Sequence, residues 1–109
     1  MSEIQIVDVQ EIAERRKNGS ADFVLLDVRK PEELELAKID GAVHIPMQDI
    51  PYRIGELNPE DEIVVFCHKG KRSLNVCNYL MQEGFANCKS LRGGIDAWAE
   101  QIDPTVGFY

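Results

Sequence analysis

The chain has 109 residues, of which 44% are hydrophobic and 28% are charged, so it is long enough to bury one hydrophobic core and too apolar for intrinsic disorder. No run of about 18 apolar residues is present, which argues against a membrane-spanning helix. The formal net charge of -7 argues against nucleic acid and anionic membranes as partners.

The first half of the chain predicts short strands that alternate with helices. Ile4–Ile6 alternates and predicts a strand, and a helix is expected to begin at Asp8, which with Glu11 resembles a capping box, and to end at Gly19. Phe23–Val28 is an apolar run with one acid near its end, as in buried parallel strands. The other elements expected in this half are a short helix at 31–34, a strand at 43–45 and a helix at 49–57.

The second half continues the same alternation. Ile63–Phe66 is the most apolar predicted strand, and after a polar loop an apolar stripe from Leu74 to Met81 predicts a helix that Gly84 ends. A strand is expected at 88–91 and a helix at 95–102, with Trp98 facing the core. We therefore predict an α/β fold over residues 1–109, a single three-layer domain with helices on both faces of a mainly parallel sheet. In such sheets, ligands bind at the carboxyl ends of the strands.

The loop after Ile63–Phe66 is the segment with the strongest chemical signal. Cys67 follows this strand directly and precedes a helix, and between residues 64 and 78 there are three bases and no acid. A free cysteine has a pKa of about 8.5, and cations with a helix N-terminus lower it by one to several units. The N–H groups of a glycine-containing loop can also form an anion-binding nest. We predict that Cys67 is a nucleophile; the alternative from the residues alone is a small buried side chain beside a solvated basic turn.

The two other cysteines lack these surroundings. Cys77 lies on the apolar stripe of the predicted helix and Cys88 begins a strand, so both are predicted to be buried structural thiols. No C-x-x-C pair is present, which argues against a zinc site or a redox dithiol. The acidic N-terminus does not resemble a secretory signal, so we expect a reducing, cytoplasmic location.

Four segments of the chain resemble the rhodanese-like sulfurtransferases, in the order and at the spacing of that family. They are the D-x-R sequence at 27–29, the G-A-x-x-I-P sequence at Gly41–Pro46, the active-site loop at Cys67–Arg72 and the L-x-G-G-x-x-A-W sequence at Leu91–Trp98. One departure is Ala37-Lys38-Ile39, where many members have Gly-His-Ile. The resemblance covers nearly the whole chain and implies the three-layer α/β fold of that family.

The resemblance also implies a mechanism. The Cys67 thiolate would attack the outer sulfur of a donor such as thiosulfate or a persulfide, keep that sulfur as its own persulfide, and pass it to cyanide, a thiol or a protein. This is covalent catalysis in two half-reactions. The sulfur is carried by Cys67 itself, so no cofactor and no metal are expected.

The roles of the remaining site residues follow from the same resemblance. The residues expected to bind the donor are His68, Lys69, Gly70, Lys71, Arg72 and Ser73. Arg72 is expected to hold the sulfonate oxygens of thiosulfate in a bidentate contact. Whether His68 contacts substrate, and whether Ser73 gives its hydroxyl to the loop or caps the helix, stays open. Asp27 and Arg29 are expected to brace the site. Arg92, beside Gly93-Gly94, is separately predicted to have a structural role and to pair with an acid beneath the loop.

The last seven residues, 103–109, are similar to the end of rhodanese domains fused to E1-like adenylyltransferases. This similarity implies a sulfur-carrier protein as a further partner.

Three other functions fit parts of the sequence. A phosphatase or arsenate reductase of the C-x-x-x-x-x-R type would need one more residue between Cys67 and Arg72. A non-catalytic binding module on the same fold would be expected to lack Cys67. A redox sensor would pair Cys67 with Cys77 or Cys88, and nothing in the sequence brings those thiols together.

Overall fold

A single parallel sheet forms the centre of the molecule. The computed structural model describes residues 3–19 and 22–109. Its strands are β1 (Gln5–Val7), β2 (Phe23–Asp27), β3 (Val43–His44), β4 (Glu62–Phe66) and β5 (Cys88–Leu91). They lie in the order β1-β5-β4-β2-β3, and every neighbouring pair is parallel. The predicted parallel α/β architecture is therefore confirmed.

Helices cover both faces of the sheet. They are α1 (Val9–Lys17), α2 (Pro31–Leu34), α3 (Ile50–Arg53), α4 (Lys71–Gln82) and α5 (Gly94–Gln101), with 3-10 turns at Met47–Asp49, Ile54–Glu56 and Pro104–Val106. One core cluster joins the sheet to α1 and α5 and contains the buried Trp98. The other joins the opposite face to α3 and α4. No helix within residues 3–19 and 22–109 has the length and apolarity needed to cross a membrane.

Two helices differ from the sequence prediction. The helix expected at 49–57 is divided into α3 and two flanking 3-10 turns, since it contains Pro51 and Gly55, two residues of low helix propensity. Helix α4 begins at Lys71, so Lys71, Arg72 and Ser73 form its first turn instead of a loop. Apolar periodicity could not locate this start, because those three residues are polar.

The expected capping box at Asp8 is absent. Asp8 is the N-cap residue of α1, yet its side chain does not cap that helix. Its Oδ1 atom instead accepts a hydrogen bond from Arg92 Nε at 2.8 Å. Arg92 therefore has the acidic partner that was expected, but the pair is exposed at the surface.

The carboxyl ends of β2 and β4 lie side by side in the sheet. Asp27 and Phe66, the last residues of these two strands, are direct partners in the parallel register, and the backbone N–H of Val28 donates to the carbonyl of Phe66 at 3.1 Å. Residues 27–29 and the loop that begins at Cys67 therefore leave the same edge of the sheet as neighbours.

Candidate active site

The sulfur of Cys67 accepts hydrogen bonds from the loop that follows it. Its Sγ atom lies 3.1 Å from the backbone nitrogen of Gly70 and 3.4 Å from that of Ser73. Gly70 has a φ of +108° and is the N-cap residue of α4, a backbone conformation that glycine adopts readily. N–H groups directed at one atom, at the start of a twelve-residue helix, stabilise negative charge on it. Cys67 is itself 1% exposed.

Helix α5 supports this loop from the other side. The backbone N–H groups of Ile95 and Asp96 donate to the carbonyls of Cys67 and His68, at 2.9 and 3.0 Å. A Cβ atom on Gly94 would lie 2.4 Å from the carbonyl oxygen of Cys67, and Gly94 also has a φ of +60°. Only glycine permits this close approach, so the first turn of α5 sets the backbone position of Cys67.

Two buried hydroxyl groups lie behind the sulfur. Ser73 Oγ is 3.7 Å from Cys67 Sγ, donates to the carbonyl of Gly70 at 3.1 Å and lies 2.7 Å from Ser90 Oγ. Ser73 therefore gives its hydroxyl to the loop, and Gly70 holds the N-cap position. Ser90 was not identified from sequence; the only available signal was a hydroxyl in an otherwise well-buried strand, opposite Val65.

Arg72 is paired with a carboxylate of the protein. Its Nη1 and Nη2 atoms donate to Glu33 Oε2 and Oε1 at 2.6 and 2.9 Å. Hydrogen bonding to Arg72 lowers the pKa of Glu33 to about 2, so Glu33 is ionised at neutral pH. Both arms of the guanidinium thus have a partner where the sulfonate of thiosulfate was expected. Lys69 and Lys71 are exposed.

Arg29 is fully buried and connects several backbone segments. It forms a bidentate pair with Asp27, at 3.0 Å from Nε to Oδ1 and 2.7 Å from Nη2 to Oδ2. It also donates to the carbonyls of Glu33 and Ala37 at 3.2 and 2.8 Å. Ala37 thus supplies its contact through the backbone, so the departure from Gly-His-Ile leaves this interaction in place. These contacts link the end of β2 to α2 and to the segment after it. That Asp27 and Arg29 brace the site stays a prediction.

Tyr109 joins the loop to this network. Its ring stacks on His68, with centroids 3.8 Å apart and an interplanar angle of 10°. Its hydroxyl donates to Glu33 Oε1 at 2.7 Å and accepts from Arg29 Nη1 at 3.1 Å, and burial raises its pKa to about 12. Within residues 3–19 and 22–109, no group hydrogen-bonds the buried His68 Nε2 atom. Sequence reasoning missed Tyr109 and Glu33 as site residues.

The other two thiols lie together in the core. Cys77 Sγ and Cys88 Sγ are 3.2 Å apart and both residues are buried. Hydrogen bonding to Cys88, together with burial, raises the pKa of Cys77. These surroundings favour the thiol form of Cys77, and the burial of both residues agrees with the structural role predicted for them. Their contact with each other was not predicted.

Two cavities flank the loop. One of about 270 Å³ contains Arg72 and Lys30 with the apolar side chains of Pro46 and Met47. The other, of about 280 Å³, is lined by Lys69, Lys71, Ser90 and Arg92 among others. A larger cavity of about 470 Å³ includes none of residues 67–73 and lies against α2 and the C-terminal segment. Each flanking cavity is lined in part by residues of 69–72, and the lining of neither includes the buried Cys67.

Comparison with known proteins identifies similar chains. Residues 6–101 match the family model described as a Rhodanese-like domain. A sulfurtransferase of Allochromatium vinosum is 37% identical over 100 residues, which are 92% of each chain. The adenylyltransferase and sulfurtransferase UBA4 of Meyerozyma guilliermondii is 32% identical over 83% of this chain and 23% of its own length. The crystal structure of a rhodanese-related protein from Thermoplasma volcanium gives a TM-score of 0.80 at 28% identity, over 90% of this chain and 93% of its own.

Proposed function

Because this chain belongs to the rhodanese-like family, we propose that its role in sulfur transfer is carried out through a persulfide on Cys67. The observation that carries the proposal is the position of the Cys67 sulfur, which accepts two backbone N–H hydrogen bonds at the carboxyl edge of the sheet. Donors in this arrangement stabilise an anionic sulfur before and after transfer.

In the first half-reaction, Cys67 attacks the outer sulfur of the donor. A bond forms between Sγ and that sulfur, and the bond from the outer sulfur to the rest of the donor breaks. The electron pair leaves with sulfite when thiosulfate is the donor, or with a thiolate when the donor is a persulfide. The N–H groups of residues 68–73 surround the new persulfide, and the exposed Lys69 and Lys71 attract anionic donors.

In the second half-reaction, a nucleophile attacks the outer sulfur of the Cys67 persulfide and regenerates the thiolate. Cyanide serves in the assay, and a thiol or a protein serves in the cell. A sulfur-carrier protein is the protein acceptor that we favour, since UBA4 combines adenylyltransferase and sulfurtransferase in its name and aligns with most of this chain. A reducing compartment such as the cytoplasm would keep Cys67 available for this cycle.

The second candidate is a binding module on the same fold, supported by the near-complete burial of Cys67. Steady-state transfer of sulfur to cyanide, measured as thiocyanate, separates the two functions. Activity should fall to background in Cys67→Ser and persist in Cys77→Ser and Cys88→Ser, which control for loss of a buried thiol. Full activity of Cys67→Ser, or inactivity of the parent chain with both thiosulfate and an organic persulfide, would contradict the proposed function.

A further inference from the structure

Glu33 is paired with the Arg72 guanidinium, the cationic group that a dianionic donor would need. Its carboxylate takes up both arms of Arg72 at 2.6 and 2.9 Å. Arg72 directly precedes Ser73, whose backbone nitrogen lies 3.4 Å from the sulfur of Cys67, so it belongs to the helix turn that contacts this sulfur. The pair that Arg72 forms with Glu33 has no net charge.

The carboxylate of Glu33 is held in place by more than Arg72. The backbone N–H of Lys30 donates to Oε2 at 2.9 Å, and the Tyr109 hydroxyl donates to Oε1 at 2.7 Å. The side chain is 16% exposed and that of Arg72 is 27% exposed. An incoming anion would have to displace a carboxylate with three donors, which costs more than displacing water from a free guanidinium.

We propose that Glu33 determines donor specificity, and that by neutralising Arg72 it disfavours the compact dianion thiosulfate relative to an organic persulfide. This inference rests on the proposed function, because it concerns the first half-reaction at Cys67. It assigns Glu33 to binding specificity, whereas Cys67 performs the chemistry.

The charges of the two reactions explain why neutralisation discriminates between the donors. Thiosulfate and the Cys67 thiolate bring three negative charges together and give a persulfide anion and sulfite. An organic persulfide anion and the thiolate bring two, and give a persulfide anion and a thiolate. Both reactions balance without an oxidant or a reductant. The thiosulfate reaction has the larger negative charge, so neutralising Arg72 removes more electrostatic stabilisation from it than from the persulfide reaction.

The cavity beside Arg72 suits the organic part of such a donor. Its volume is about 270 Å³, and its lining combines the apolar Val28, Pro46 and Met47 with both acids and bases. Two basic and two acidic side chains line it in total, namely Lys30, Arg72, Glu32 and Asp49. A mixed wall of this kind accommodates a substituent on sulfur, whereas sulfite offers only charged oxygens.

The test compares the rates at which two donors load sulfur onto Cys67 in single turnovers, followed by intact mass. The donors are thiosulfate and N-acetylcysteamine persulfide, whose organic part carries no charge. In Glu33→Gln, which keeps the size of the side chain and removes its charge, the ratio of thiosulfate to persulfide loading should rise at least about fivefold. Glu35→Gln removes an exposed charge from the same segment and should leave the ratio unchanged.

The opposite substitution gives an independent test. Arg72→Gln leaves the carboxylate of Glu33 without its cation, so the same ratio should fall at least about fivefold. If Glu33→Gln does not fold, Arg72→Gln decides the question. An unchanged ratio in either folded variant, or an equal rise in Glu35→Gln, would overturn the role of Glu33. Failure of both donors to load Cys67 in the parent chain would instead overturn the proposed function.

Discussion

Ser90 is connected to the sulfur of Cys67 through one hydroxyl, that of Ser73, and the sequence alone does not reveal this connection. Its hydroxyl lies 2.7 Å from Ser73 Oγ, which in turn lies 3.7 Å from the sulfur of Cys67. Ser73 donates its single hydroxyl proton to the carbonyl of Gly70. When Ser90 donates to Ser73, that bond strengthens and holds Gly70, whose backbone N–H is directed at the sulfur of Cys67. Ser90 is thus a positioning residue that acts through Ser73.

We predict that Ser90→Ala slows alkylation of Cys67 by iodoacetamide at neutral pH by about two- to tenfold. This is the effect expected for the loss of one hydrogen bond, here the one between Ser90 and Ser73. The control is Cys88→Ala, which removes one heavy atom from a buried side chain on the same strand. Its alkylation rate at Cys67 should match that of the parent. Equal rates in Ser90→Ala and the parent would show that Ser90 only fills space.

Whether a residue of the candidate site could be predicted from sequence depends on how far it lies from Cys67 along the chain. Gly70 and the three bases could be grouped with Cys67 because all of them lie within six residues, between one strand end and one helix start. Glu33 and Tyr109 could not, since each reaches Arg72 or His68 from a segment about 40 residues away. Sequence reasoning therefore placed Cys67 in one loop with Gly70 and the bases but assigned Arg72 no protein partner.

At the scale of elements, the Gly93-Gly94 pair at the start of α5 supports the loop that begins at Cys67. Gly94 combines a φ of +60° with a Cβ position 2.4 Å from Cys67 O and 2.6 Å from His68 O. A side chain there must displace the backbone of Cys67 and His68. Both glycines belong to the L-x-G-G-x-x-A-W segment that resembles the family. The reason why the second must be glycine is given only by the packing of α5 against the loop.

We predict that Gly94→Ala lowers the free energy of unfolding by about 2–4 kcal/mol, through strain at positive φ and overpacking, and also impairs sulfur transfer. Gly55→Ala is the matched control, because a Cβ at Gly55 meets nothing within 4 Å and its φ is ordinary. Urea unfolding and the thiocyanate assay measure both effects. A Gly94→Ala protein as stable and active as Gly55→Ala would contradict the support role.

The starts of helices show what periodicity can and cannot locate. Helix α2 has the bounds predicted from Pro31 and the acids that follow it, because those are local signals. Helix α4 begins three residues before its apolar stripe, because its first turn faces the active site and consists of polar residues. The helix that follows the Cys67 loop is thus the one whose first turn cannot be located from the hydrophobic pattern.

At the scale of the whole molecule, ionic contacts hold the sheet at the edge opposite the active site. Glu62, at the amino end of β4, accepts from Arg15 of α1 at 2.7 and 2.8 Å and from Lys89 of β5 at 2.7 Å. Hydrogen bonding to Arg15 lowers the pKa of Glu62 from 4.5 to about 2. One carboxylate therefore links a helix and two strands. The alternation of elements predicted the parallel sheet, but neither the strand order nor this link.

The lowered pKa of Glu62 determines how its contribution to the free energy of unfolding depends on pH. Because the folded pKa is below the unfolded one, the stabilisation is complete above about pH 5 and is lost as the pH falls toward 2. We predict that Glu62→Gln lowers the free energy of unfolding at pH 7 by roughly 1–3 kcal/mol, after allowance for solvent screening, and by less at pH 3. Urea unfolding at both pH values measures this difference.

The exposed Glu60, close to the same end of β4, provides the control for that prediction. Glu60→Gln should change the free energy of unfolding by less than about 0.5 kcal/mol at either pH. A Glu62→Gln effect that is equal at pH 7 and pH 3 would show that the ionised carboxylate is not the stabilising group.

The central claim is that Cys67 carries the transferred sulfur, and intact mass spectrometry after incubation with a sulfur donor tests it most directly. With thiosulfate or N-acetylcysteamine persulfide, the protein should gain one sulfur atom, peptide mapping should place that atom on Cys67, and cyanide should remove it. Cys77 and Cys88, buried 3.2 Å from each other, should remain unmodified. No gain in mass with either donor, or a sulfur atom located on Cys77 or Cys88, would contradict the account.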